Sequence, residues 1–126
     1  MVEKTKRLEV LVVDDDPYML TVMRRMMRRM PVTLRCASST QEALQMLNVW
    51  PAGLVMSAFQ MPQIDGIAFL RLVRHRYGKK VKCVLHTGVP REAMAAGCDL
   101  PVYLKPIDEG ALRQLVAAAL LESTPA

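Results

Sequence analysis

Three consecutive carboxylates, Asp14-Asp15-Asp16, follow directly on the apolar run Leu8-Glu9-Val10-Leu11-Val12-Val13. Like charges crowded at the mouth of a buried strand are costly unless something cationic neutralises them, and hard oxygen donors favour Mg²⁺ over softer metals. A divalent-ion site is one reading. The other is a helix N-terminus, where the macrodipole favours acidic side chains. Two further residues bear on the choice, because Thr87 and Lys105 also close short apolar segments. A lysine in such a place can hold a phosphoryl group as a point charge, and a threonine hydroxyl can hydrogen-bond its oxygen. No serine, cysteine or histidine is paired with a base, so the pattern does not predict an enzyme.

These groups need a scaffold that brings several strand ends together. Leu8 to Val13 is bounded by charge on both sides, as a buried parallel strand is. Asp16 and Pro17 suit a helix start, and Leu20, Met23, Met27 and Met30 recur at helical spacing until Pro31. The sequence then predicts a strand over Val32 to Cys36, and a helix opened by a capping-box spacing of Ser39 and Glu42. Asn48 to Gly53 reads as a break and Leu54 to Ala58 as a third strand. A loop over Met61 to Gly66 precedes a helix over Ile67 to Tyr77 that Gly78 closes. Val81 to His86 is the fourth strand, Arg91 to Gly97 allows about two turns of helix, and Val102 to Leu104 is a brief fifth strand. Asp108 caps a last helix whose apolar face is Leu112, Leu115, Val116 and Ala119.

Strands alternating with helices imply right-handed crossovers and a parallel sheet covered on both faces, an α/β three-layer sandwich. Ligands bind such sheets beyond the carboxyl ends of the strands. The 126 residues are 52% hydrophobic and 23% charged, which suits one domain spanning residues 1–126 with a core over about 8–121. No apolar run is long enough to cross a bilayer and none follows the early lysines as a secretory signal would, so a cytoplasmic protein without membrane contact is expected. Cys36, Cys83 and Cys98 lack metal spacing and read as small buried hydrophobes. His75 and His86 read as structural or solvent-facing, the methionine stripe as core, and Trp50 as a loop anchor.

At this point the chain resembles the receiver domain of two-component response regulators over nearly its whole length. The resemblance rests on Val12-Val13-Asp14-Asp15-Asp16-Pro17, Met61-Pro62-Gln63-Ile64-Asp65-Gly66, Thr87-Gly88 and Tyr103-Leu104-Lys105-Pro106. It implies a flavodoxin-like fold with strand order 2-1-3-4-5 and a cis peptide before Pro106. It also implies a Mg²⁺ site made by Asp14, Asp15 and the main-chain carbonyl of Gln60, with Thr87 and Lys105 sensing a phosphoryl group. The family's acceptor aspartate stands three residues before the Met-Pro pair, a position that here is Ala58. Alanine offers neither a nucleophile nor a metal ligand. Neighbouring Ser57 should face the other way, since successive strand residues alternate. With no carboxylate at 58, Lys105 should lie nearer the acidic pair and compete with a metal, leaving Mg²⁺ binding weak.

Two more departures accompany this one. The segment from Thr87 to Lys105 is about one helical turn short, which predicts a shortened fourth helix. The family's aromatic switch position is Val102, whereas Tyr103 is one residue on and should face the other side. The expected function is therefore that of a receiver-like domain acting through protein contacts without phosphorylation. One alternative is an ordinary receiver silenced by an engineered aspartate-to-alanine change at 58. Another is a basic nucleic-acid-binding domain, prompted by the net charge of +5, although few aromatic residues are interleaved with the basic ones. Arg24, Arg25, Arg28 and Arg29 crowd the first helix with no acidic residue from Tyr18 through Arg35. Receivers dock kinase or phosphotransfer helices on this helix, so the resemblance implies that these arginines contact a histidine kinase, phosphotransfer protein or other signalling partner.

Overall fold

The computed structural model describes residues 6–122. Five strands, β1 (Leu8–Val13), β2 (Val32–Ala37), β3 (Leu54–Ser57), β4 (Lys82–Thr87) and β5 (Val102–Leu104), form one sheet in the order β2-β1-β3-β4-β5. Every pairing is parallel, with Val13 beside Ala37 and Ser57, Ser57 beside Leu85, and Thr87 beside Leu104. The carboxyl ends of the strands thus lie along one edge of the sheet.

Helices α1 (Pro17–Met27) and α5 (Glu109–Glu122) cover one face of the sheet, while α2 (Thr40–Val49), α3 (Gly66–Tyr77) and α4 (Pro90–Ala95) cover the other. Strand alternation sorts the core accordingly. Val10, Val12, Met56 and Val84 meet Leu20, Met23, Met27, Leu112 and Val116, whereas Leu11, Val13, Val55 and Leu85 meet Ala43, Leu47, Phe69, Leu70 and Val73. Burying a side chain of this size contributes about 1.5–3 kcal/mol relative to exposure, so the two half-cores fix which face each strand presents. The stripe on α1 is largely core: Met23, Met27 and Met30 are buried, and Met19 and Met26 are partly so.

Helix starts follow the side chains that cap them. The Asp16 carboxylate accepts from the Tyr18 N–H with Pro17 in the first turn, Asp65 accepts from Ala68, and Asp108 accepts from Ala111. The box on α2 closes differently from its sequence pattern. Ser39 Oγ accepts from the Glu42 N–H at 3.1 Å, but Glu42 reaches back to the Ser38 N–H at 2.7 Å rather than to that of Ser39. α2 also continues through Asn48 and Val49, which the sequence assigned to a break; Trp50 ends it. Trp50 is buried, donates from Nε1 to Glu9 at 3.1 Å, and carries the Arg35 guanidinium 4.3 Å above its ring.

α4 has six residues and buries only Ala93. Cys83 is buried, and burial pushes its thiol up to about 11. Cys36 and Cys98, expected in the core, are only half-buried: Cys36 lies on the outermost strand β2 and Cys98 in the turn after α4.

Candidate site at the carboxyl edge of the sheet

Asp14 follows β1 and is held by backbone on one side, its N–H donating to Ala37 at 3.1 Å. It is 1% exposed. One carboxylate oxygen, Oδ1, accepts from the Asp16 N–H at 3.0 Å, and the other lies 2.7 Å from Lys105 Nζ. Asp15 and Asp16 are exposed, and the carboxylate of Asp16 is engaged in capping α1. The three consecutive acids therefore divide into one buried ion-pair partner, one free surface carboxylate and one cap.

Lys105 reaches Asp14 because β5 ends beside β4. The Lys105 N–H donates to the Thr87 carbonyl at 2.9 Å, and the Lys105–Pro106 peptide is cis, as the resemblance implied. Thr87 is buried and its Oγ1 accepts from the Val89 N–H at 3.1 Å. Its hydroxyl hydrogen remains available to a ligand oxygen. Asp14, Thr87 and Lys105 thus converge from β1, β4 and β5.

Ala58, just after β3, is buried and donates its N–H to the Val13 carbonyl at 2.9 Å. Its methyl group offers this edge no oxygen. Ser57 pairs in register with Val13 and Leu85 on the α2/α3 side, is fully buried, and donates its hydroxyl to the Ala58 carbonyl at 2.9 Å. It is satisfied where it stands. The loop beyond carries Gln60, exposed, and Gln63 at φ 74°, a left-handed conformation rare for a side chain with a Cβ. The loop ends at Gly66, where a Cβ would sit 1.8 Å from the Ala58 carbonyl oxygen, so only glycine lets α3 start so close to β3.

Mg²⁺ prefers near-octahedral oxygen donors and resists losing its water. Here Asp14 is engaged by Lys105, and no group of three or more acidic, histidine or cysteine side chains among the described residues is arranged to hold a metal. The donor set as arranged does not fit a tight Mg²⁺ site.

His86 was expected to be merely structural or solvent-facing, and it has a more specific place. It is 1% exposed, and its Nε2 accepts from the Ile107 N–H at 3.1 Å, fastening the segment that carries Lys105. Burial, then the Lys105 ammonium, pushes its pKa down to about 4 against the partial opposition of Asp14. The residue is neutral near pH 7. Its spacing in sequence gave no sign of this, because the partner lies on another strand's exit. Tyr103 and Val102 do pack against opposite half-cores, as alternation predicts.

Arg24, Arg25, Arg28 and Arg29 are all exposed along α1 and its end, away from the strand-end cluster, and none forms an ion pair among the described residues. Sequence reasoning missed their neighbour Arg113 on α5, which lines a cavity with three of them.

A doubly wound parallel sheet with acid, threonine and lysine gathered at its carboxyl edge has these groups where sheets of this class bind ligands. The response regulator receiver domain family matches residues 10–117, and the chain belongs to that family. It is 28% identical to the response regulator protein PilR of Pseudomonas aeruginosa over 94% of this chain and 27% of that protein. Identity to the transcriptional regulatory protein GlrR of Escherichia coli is 31%, over 96% of this chain and 28% of that one. The chain spans little more than a quarter of these relatives' length. Among solved structures, the signal receiver domain of an HD domain-containing protein from Pseudomonas fluorescens superposes with a TM-score of 0.82 at 28% identity, covering 98% of this chain and 93% of that one. The flavodoxin-like fold, its strand order and the two-component family are thereby shown. Among the described residues no helix is long and apolar enough to cross a membrane.

Proposed function

We propose that this chain is one receiver-type unit, with its core over residues 8–121, that acts in two-component signalling through protein contacts and without being phosphorylated. Ala58 at the end of β3 carries this reading, since the family position for the acceptor has no oxygen to receive a phosphoryl group. Thr87 and Lys105 keep the places of phosphoryl sensors, but Lys105 instead neutralises Asp14. The unit is not an enzyme, works in the cytoplasm, and uses Arg24, Arg25, Arg28 and Arg29 to meet a histidine kinase, phosphotransfer protein or other signalling partner. Nucleic acid and membrane are not its partners. Mg²⁺ binds weakly through Asp14, Asp15 and the Gln60 carbonyl. The second reading, a phosphorylatable receiver silenced at 58, is disfavoured by the six-residue α4, which a point substitution at 58 does not produce.

Incubation with acetyl phosphate and Mg²⁺, followed by intact-mass measurement, should add nothing to the protein. An acid-labile increment in the peptide from Met56 to Met61 would overturn the assignment. In calorimetry, Ala58→Asp should bind Mg²⁺ more tightly than the parent, and equal affinity would place residue 58 outside the site.

A further inference from the structure

Three guanidinium groups from the end of α1, those of Arg25, Arg28 and Arg29, line a cavity of about 280 Å³ together with Met26, and α5 closes it with Glu109 and Arg113. Four guanidinium groups face one carboxylate, a surplus of three positive charges. Glu109 is already drawn to Arg113, 3.8 Å away on the same helix, which leaves the three α1 arginines without a carboxylate among the described residues. Like charges gathered in a concave space repel one another, and an anion bound there relieves the repulsion. A larger cavity, about 660 Å³ at the amino end of β4 and β5, differs in kind. There Arg74 pairs with Asp99 at 3.7 Å and Lys82 with Glu122 at 3.3 Å, so most of its charge is matched internally.

We infer that the α1/α5 cavity is a binding site for a diphosphate group. Guanidinium forks match phosphate oxygens two at a time, and forks arriving from two helices can hold several oxygens at once. A diphosphate carries about three negative charges near neutral pH, the same as the surplus in the cavity. A lone carboxylate would leave most of it uncompensated. The carbonyl end of α1 opposes any anion, so Arg113, contributed by α5, matters beyond its own contact. Beside the cavity, and sharing Arg113, a cleft of about 120 Å³ lined by Met30, Pro31, Val116, Ala117 and Leu120 offers apolar surface to the organic part of a larger ligand. The shared chemistry is the diphosphate, whether inorganic or borne by a nucleoside. This inference goes beyond the protein-docking role of the same arginines and is tested without a protein partner.

Calorimetry of the full chain with inorganic pyrophosphate, without Mg²⁺ and at roughly physiological ionic strength, should give saturable one-to-one binding. Arg28→Ala and Arg113→Ala should each weaken it tenfold or more. Arg91→Ala, exposed on α4 across the sheet from the cavity, should change it less than twofold. Removing the competing carboxylate by Glu109→Gln should tighten it severalfold, a gain that damage to the fold cannot imitate. Adenosine diphosphate binding more tightly than pyrophosphate would assign the apolar cleft to the nucleoside, and equal affinity would assign the site to the phosphates alone. No saturable heat with either probe, or equal losses in Arg91→Ala and Arg28→Ala, would overturn the inference and leave the arginines to protein docking.

Discussion

The carboxyl edge of the sheet and the α1/α5 surface are both charged, and they treat charge in opposite ways. At the edge, a buried aspartate and a largely buried lysine sit 2.7 Å apart, supported by the backbone of β1, β2 and β4. On the surface, Arg24, Arg25, Arg28 and Arg29 stand exposed without a carboxylate partner among the described residues. A closed pair is part of the fold, whereas an open cluster costs little to keep in water and gains most when an anion arrives. In this molecule the carboxyl edge holds its charge in a closed pair, and the uncompensated charge stands on α1 and its end.

The largest effect should come from opening the closed pair. Lys105→Met leaves Asp14 buried without its counter-charge, and urea unfolding should show a loss of about 3 kcal/mol, since breaking a buried pair strands the remaining ion. A loss below about 1 kcal/mol would mean that Asp14 is neutralised by something else, and the contrast between the regions would fail.

The second effect is pH-dependent. His86 has a folded pKa near 4, below its ordinary 6.5, so between these values the unfolded chain binds a proton that the folded one refuses. Stability is complete above about pH 6.5 and falls as the pH drops toward 4, by at most about 3 kcal/mol. His86→Gln keeps an acceptor for the Ile107 N–H and should flatten that part of the profile. An unchanged slope would assign the acid sensitivity to other groups.

The smallest effect on stability belongs to the open cluster. Arg24→Glu with Arg28→Glu should leave the thermal midpoint almost unmoved, because neither side chain is in the core. Capture of the signalling partner should nevertheless fall about tenfold or more, roughly 1.4 kcal/mol. Undiminished capture in pull-downs would move the docking surface elsewhere.

Local signals carried much of this architecture in the sequence. Asp16 with Pro17 marked the start of α1, Asp108 that of α5, and the run from Leu8 to Val13 read as a buried strand because a short apolar run is bounded there by charge on both sides. The strand order and the cis peptide followed from the resemblance and not from any spacing. The approach of Lys105 to Asp14 could be anticipated because removing one carboxylate leaves the other as the lysine's nearest counter-charge. What stayed hidden was contact between distant segments: His86 with Ile107, Trp50 with Glu9, and Arg113 with the arginines of α1. Periodicity describes one element at a time and carries no information on which polar atoms two elements bring together. The half-burial of Cys36 has the same origin, since only the sheet order makes β2 an outer strand.

Trp50 is the only tryptophan in the chain, and it is seated where α2 runs into β3, at the amino edge of the sheet. Its indole is tied to Glu9 near the start of β1 and stacked beneath Arg35 on β2, whereas Asp14 and Lys105 lie at the strands' carboxyl ends. Its emission is therefore a natural optical gauge of whether the β1–β2 half of the sheet is intact, and a poor one for events at the opposite edge. An additive that alters tryptophan fluorescence is reporting on the integrity of the fold, while one that binds beside Lys105 should pass unseen until a second chromophore is placed there.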